Sequence, residues 1–164
     1  MSMRNMVLGA GVAFLLGTGL AFAGSGPAGH SHGDASGETA FGKPGDAKKP
    51  ARVIAITMRE ADGKMEFVPN RIDIRKGEQV RFKIRNNGEL DHEVVVGTLE
   101  MNLKHAEEMK KNPDMEHDDP NAKRLQPKKT GEIVWAFTKA GEFDFSCLIP
   151  GHREAGMTGT IVVK

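Results

Sequence analysis

The chain has 164 residues and carries 23 basic side chains against 22 acidic ones. That length makes a single domain the default, and a charge so close to balance leaves no basic excess for nucleic acid or an anionic membrane surface. With one cysteine, an intrachain disulfide and a four-cysteine iron–sulfur cluster are both excluded.

The first segment reads as a secretory signal peptide, residues 1–23. Arg4 supplies a short positive start, Met6 to Leu20 is an apolar run broken only by glycines and Thr18, and "AFA" at Ala21 to Ala23 is a small-x-small cleavage site. The run is short for a bilayer span, which needs about 20 apolar residues. No cysteine lies near Ala23 to take a lipid. The expectation is a periplasmic protein, cut after Ala23, with no membrane span in its mature form. Loss of Arg4 leaves the mature chain with no net charge when histidines are neutral. Export also sharpens the question of the lone cysteine. It is an exposed thiol, half of an intermolecular bridge, or a metal ligand.

Residues 24–51 are rich in Gly, Ala, Ser, Pro and Lys and have no apolar period, so a flexible tail is expected. Within it "GHSHGD" places His30 and His32 close together. Two readings stand: a solvated linker, or a mobile arm that captures copper, a metal that imidazole suits.

From residue 52 the pattern changes to period two. "RVIAITM" is a strand candidate, and two more lie around residues 72–75 and 80–85. Val80, Phe82 and Ile84 alternate with Gln79, Arg81, Lys83 and Arg85, the mark of a half-buried strand. "HEVVVG" at residues 92–97 is the next. Residues 98–129 do not read as strand: "LEMNLKHAEEMKK" has helix-forming composition, and a polar loop follows Pro113. "EIVWAFTK" and "EFDFSC" then flank a turn at Gly141, and "GTIVVK" closes the chain. Seven or so short strands predict an all-β, antiparallel sandwich over residues 52–164 with one helical insertion.

Side-chain parity locates the chemistry. Phe143, Phe145 and Cys147 share one strand face, and His92 shares one with Val94 and Val96. A thiol and an imidazole therefore point inward at strand ends. His152 and Met157 follow Cys147 at five-residue steps, in a loop shaped by Pro150, Gly151, Gly156 and Gly159. Two imidazoles, one thiolate and one thioether suit copper, with a trigonal His, His and Cys set and a long axial Met contact. Structural zinc usually takes more cysteines or no Met. A catalytic Cys–His pair needs an exposed thiolate beside a base.

"CLIPGHREAGM" after "GEFDFSC", with "DHEVVVG" upstream and "GTIVV" at the end, resembles the cupredoxin family over residues 52–164. The Cys-x4-His-x4-Met spacing is similar to rusticyanin-like and auracyanin-like members. The helical insertion and "EHDDPN" are similar to CopI-type periplasmic cupredoxins of bacterial copper tolerance. The resemblance implies a Greek-key β-sandwich and one type 1 copper held by His92, Cys147, His152 and Met157. One departure stands out. Many cupredoxins place Asn or Ser directly after the first histidine to brace the cysteine loop, and here that residue is Glu93.

The insertion offers a second candidate copper locus. Met101, His105 and Met109 are spaced i, i+4, i+8, with Met115 and His117 following. Such donors suit Cu(I), while Met at helical spacing also describes a face packed on the sandwich. Two functions are expected from different classes. One is a copper-handling protein for copper tolerance with one-electron redox capability. The other is an electron carrier between periplasmic redox partners, such as a cytochrome, a copper oxidase or a transporter. A multicopper enzyme would need further copper sites and domains, so a non-enzymatic redox copper protein is expected, with Cu(I) oxidation left open.

Overall fold

A computed structural model describes residues 37–112 and 119–164. The expected signal peptide, the tail histidines His30 and His32, and Met115 and His117 lie outside these residues. The described elements run β1 (Lys43–Pro44), β2 (Arg52–Ala61), β3 (Lys64–Val68), β4 (Arg71–Ile74), β5 (Gln79–Asn86), β6 (His92–Gly97), α1 (Leu99–Lys111), β7 (Ala122–Leu125), β8 (Thr130–Ala136), β9 (Gly141–Ser146) and β10 (Thr158–Val163). They form two five-stranded sheets, ordered β1-β8-β5-β2-β3 and β4-β10-β9-β6-β7. The interior faces supply one core that includes Ile56, Met58, Phe82, Ile84, Val94, Val96, Trp135 and Phe145.

The expected all-β sandwich with one inserted helix is present, but its strands are not all antiparallel. β2 pairs parallel with β5, and β4 with β10. The chain leaves the first sheet for β4 between β2 and β5, so it returns in the same direction. Three strands, β1, β3 and β7, also exceed the sequence reading. β3 closes a hairpin on β2 through Asp62 and Gly63, both at positive φ (52° and 74°), with Ala61 facing Lys64. Asp-Gly is the residue pair that a two-residue hairpin turn of this hand requires. β7 lies inside the insertion, where a loop was expected. It is a short, polar edge strand that buries only Leu125 and borrows its order from β6.

The third correction concerns the tail. Residues 24–51 were expected to be flexible throughout, yet the chain is tied to the sandwich from Thr39 onward. Phe41 is buried, stacks on Trp135 with ring centroids 5.1 Å apart, and accepts the indole N–H on its carbonyl at 3.1 Å. Gly42 makes this approach possible. A Cβ there would sit 2.1 Å from the Ala136 carbonyl oxygen, at a φ of +122°. Gln79 holds the following turn, accepting from the Asp46 N–H at 2.7 Å. A lone aromatic among Gly, Pro and Lys makes no periodic pattern, so composition alone hides an anchor of this kind.

The second sheet is covered on both sides, which is why β6 is buried at all six positions. The inner residues Val94, Val96, Phe143, Phe145 and Cys147 join the main core. The outer residues meet α1. Thr98 caps that helix, its hydroxyl accepting from the Met101 N–H at 3.2 Å. The helix presents Asn102 and Met109, seven residues and nearly two turns apart, to the sheet. Met109 packs with Val95 and Leu148. Asn102 donates to the Val95 carbonyl at 3.1 Å and to the Asp144 carboxylate at 2.7 Å.

If Phe41 is part of the core, Phe41→Ala should destabilise the metal-free protein by about 3–5 kcal/mol. Urea unfolding followed by Trp135 fluorescence measures this. A loss below about 1 kcal/mol would place the segment outside the cooperative fold.

Candidate metal centre

Three donors meet at one end of the sandwich. His92 is the first residue of β6, and Cys147 directly follows β9, so two adjacent strands deliver an imidazole and a thiol. His152 comes from the loop after Cys147. Its Nδ1 lies 3.2 Å from the Nδ1 of His92 and 3.4 Å from the Cys147 Sγ. A nitrogen from each histidine and the sulfur all fall within 4.8 Å of one another. Separations of this size leave room for one ion at ordinary N and S bond lengths of about 2.0–2.3 Å. His92 and Cys147 are buried and His152 is partly buried, so the cluster opens to solvent through one histidine.

Backbone hydrogen bonds close the loop on itself. Pro150 and Gly151 (φ +88°) sit at the centre of a turn in which His152 N–H donates to the Ile149 carbonyl at 3.0 Å. Proline followed by a positive-φ glycine is the combination such a turn requires. Gly156, at φ +106°, reverses the chain again. Met157 then donates its N–H to the His152 carbonyl at 3.1 Å, and its own carbonyl accepts from the Cys147 N–H at 3.1 Å. Met157 is fully buried and joins the main core. The four residues picked out by spacing are thus brought to one loop and one neighbouring strand end.

Electrostatics disfavour a free thiolate. Burial pushes the Cys147 thiol up to about 12, with the Glu93 charge adding to the effect. A nucleophilic cysteine needs the opposite shift, so the Cys–His pair does not form a reactive thiolate. Burial also lowers the His152 pKa, followed by repulsion from His92, and the neutral imidazole is the form that binds a metal.

The supports of these donors were less legible. Glu93 takes the bracing place, its carboxylate accepting from the Leu148 N–H at 2.9 Å across the start of the cysteine loop. Arg153, next to His152, is held by Asp144 through two hydrogen bonds at 2.9 and 3.0 Å and also donates to Ser146. Sequence reading missed Glu60, whose Oε1 lies 2.7 Å from the His92 Nε2. The signal was available in parity. Ile56, Met58 and Glu60 share the inward face of β2, and a carboxylate at the end of a buried row needs partners. Burial would raise the Glu60 pKa, but the Glu89 N–H, His92 and the Leu90 N–H outweigh it and hold the carboxyl below its ordinary value.

The helical stripe of Met101, His105 and Met109 does not form a shared accessible face. Met109 is 0% exposed against Val95 and Leu148, whereas Met101 is 36% exposed and His105 is partly buried. Steps of four residues each rotate the helix about 40° further, so Met101 and Met109 point about 80° apart. Met109 serves the packing reading.

Residues 54–164 match the model of the copper binding proteins, plastocyanin/azurin family. The chain belongs to that family. This cupredoxin is 48% identical over 144 residues to the copper-resistant cuproprotein CopI of Rubrivivax gelatinosus, covering 84% of this chain and 86% of that one. It is 34% identical to the CopI of Pseudomonas aeruginosa over 181 residues, with 93% and 95% covered. Among solved structures, auracyanin B aligns at a TM-score of 0.60 and 22% identity over 76% of this chain and 96% of its own. The auracyanin of Roseiflexus castenholzii aligns at 0.58 and 20%, over 71% and 99%. Those two structures establish the fold. Copper is the metal of the family, and the cupredoxin's set of two imidazoles and a thiol fits it.

A metal ion that takes Cys147 as thiolate must displace its proton. At pH 8, copper loading should therefore release about one proton per chain from Cys147. Calorimetric titration in buffers of different ionisation enthalpy reads this number. Heats independent of the buffer would contradict a protonated thiol in the metal-free protein.

Proposed function

We propose that this cupredoxin is a periplasmic copper-handling protein of the copper-resistance kind. In this reading one mononuclear copper is held by His92, Cys147, His152 and Met157. The observation that carries it is the donor cluster itself, with nitrogen and sulfur atoms 3.2 and 3.4 Å apart on supports made of backbone and buried carboxylates. The two CopI proteins named for copper resistance, both covered over most of their length, support the tolerance role. When bound, copper supplies a one-electron Cu(I)/Cu(II) couple. The chain supplies the neutral imidazoles, excludes water from the thiol, and holds Met157 in the core beside them.

We read the protein as a redox copper protein rather than an enzyme. Residues 1–23 act as the export signal in this proposal, and the folded domain begins at about Thr39 instead of residue 52. No helix among the described residues is long and apolar enough to cross a membrane.

Electron transfer to a periplasmic partner is the second reading, and one observation favours it. His152 alone among the four reaches the surface, beside the exposed Pro150 and Gly151. An electron entering or leaving by the shortest protein path would pass through that imidazole.

Cys147→Ser separates these readings from a merely structural cysteine. It should abolish the intense visible absorption of the copper-loaded protein and fail to restore copper tolerance to a deletion strain that the wild-type gene rescues. If the variant keeps an intense band, the ligand assignment is wrong. If the deletion strain tolerates copper normally while the protein exchanges electrons rapidly with a periplasmic cytochrome, the carrier reading replaces the tolerance reading.

A further inference from the structure

Glu60 stands on a strand remote in sequence from every donor, yet its carboxylate closes on the His92 ring from the side away from the cluster. Its Oε1 meets the His92 Nε2 at 2.7 Å and accepts the Leu90 N–H at 3.1 Å, while Oε2 accepts the Glu89 N–H at 2.9 Å. The loop that delivers His92 is thus wrapped around one carboxylate. Gly88 leaves the space for it. A Cβ at Gly88 would lie 2.4 and 2.5 Å from the two carboxylate oxygens. His92 has no access to water, so its ring nitrogens must be satisfied by protein or metal.

A carboxylate only accepts hydrogen bonds. Facing Glu60, the His92 Nε2 must carry the ring proton, and the Nδ1 lone pair is left aimed at Cys147 and His152. A carboxylate behind a metal-binding imidazole also raises its basicity. The cluster already holds one negative charge when Cys147 is a thiolate. A second, at Glu60, offsets the charge of Cu(II) more fully than that of Cu(I), because the attraction scales with the ion's charge.

We propose that Glu60 is a positioning residue for the metal centre. It selects Nδ1 of His92 as the donor and biases the site toward the oxidised, more highly charged ion. This inference rests on the copper reading above and deepens it. A plain loop anchor would need only the two backbone N–H groups and would leave the Cu(II)/Cu(I) balance untouched.

Glu60→Gln keeps the size and one acceptor oxygen while removing the charge. Gly88→Ala keeps the charge but displaces the carboxylate. Both variants should lose Cu(II) affinity by about tenfold or more, the usual effect of removing such a partner, with a smaller loss for Cu(I). A tenfold selective loss corresponds to a rise in reduction potential of about 59 mV for a one-electron couple. Voltammetry of the loaded proteins and chelator competition for each oxidation state measure the two quantities independently. Lower stability with an unchanged Cu(II)/Cu(I) affinity ratio in both variants would overturn the proposal and leave Glu60 as an anchor only. If the wild-type protein itself shows no thiolate-to-copper absorption, the ligand assignment falls and this inference with it. If that band is present and the ratio does not move, only this inference falls.

Discussion

Three polar donors, Cys147 Sγ and the Nδ1 atoms of His92 and His152, are kept together at a place that water reaches through one imidazole edge. Burying such groups without partners is costly, so the surrounding structure has to fix them by other means. It does so mainly through backbone. Cys147 and Met157 are joined by one hydrogen bond and Met157 and His152 by another, so the ligand loop is a closed ring of chain whose donors cannot separate without breaking it. His92 pairs with Leu125 of the neighbouring strand β7, and its outer nitrogen is occupied by Glu60. A donor set held in this way should change little when the charge of a bound metal changes.

The helical insertion acts on the same site from outside. The outer face of the second sheet, which would otherwise meet solvent, is covered by α1. The buried outer row of β9, Asp144 and Ser146, is turned into a polar network with Asn102 and Arg153. Arg153 adjoins His152 in the chain, so the hydrogen-bonded network shared by the helix and the cysteine strand ends one residue from the surface histidine. Every buried side-chain polar atom among the described residues has a partner. Networks of this kind are stabilising only when fully satisfied, and here that condition is met. Gly97 has its own part in this, because a Cβ there would lie 2.7 Å from the Asn102 side-chain oxygen.

Parity made the centre of the site readable from sequence. Phe143, Phe145 and Cys147 do share the inner face, and so do His92, Val94 and Val96, because alternation is enforced by the pleat wherever one face is buried. The glycine and proline positions of the ligand loop were equally plain, since few residues tolerate its positive φ values. What escaped was determined by contacts distant in sequence. Phe41 is nonpolar but solitary, and its site is created by Trp135, 94 residues away. Glu60 looks like one more charged strand residue until the chain brings His92 alongside it. Met109 fitted a copper-binding stripe by spacing, but the helix is rotated so that Asn102 and Met109 meet the sheet, and its thioether went to the core. The Asp62–Gly63 turn is a different case. Its local signal was complete, and β3 could have been read from it.

The central claim is that the fold assembles the donors before any metal arrives. Crystal structures of the metal-free and copper-loaded protein, the latter with anomalous data at the copper edge, test it most directly. The account predicts a single copper peak among His92, Cys147, His152 and Met157, with the donor atoms superimposing to within about 0.5 Å between the two structures, the tolerance expected of a preorganised site. Copper bound elsewhere, or donors that move by several times that distance on loading, would contradict it.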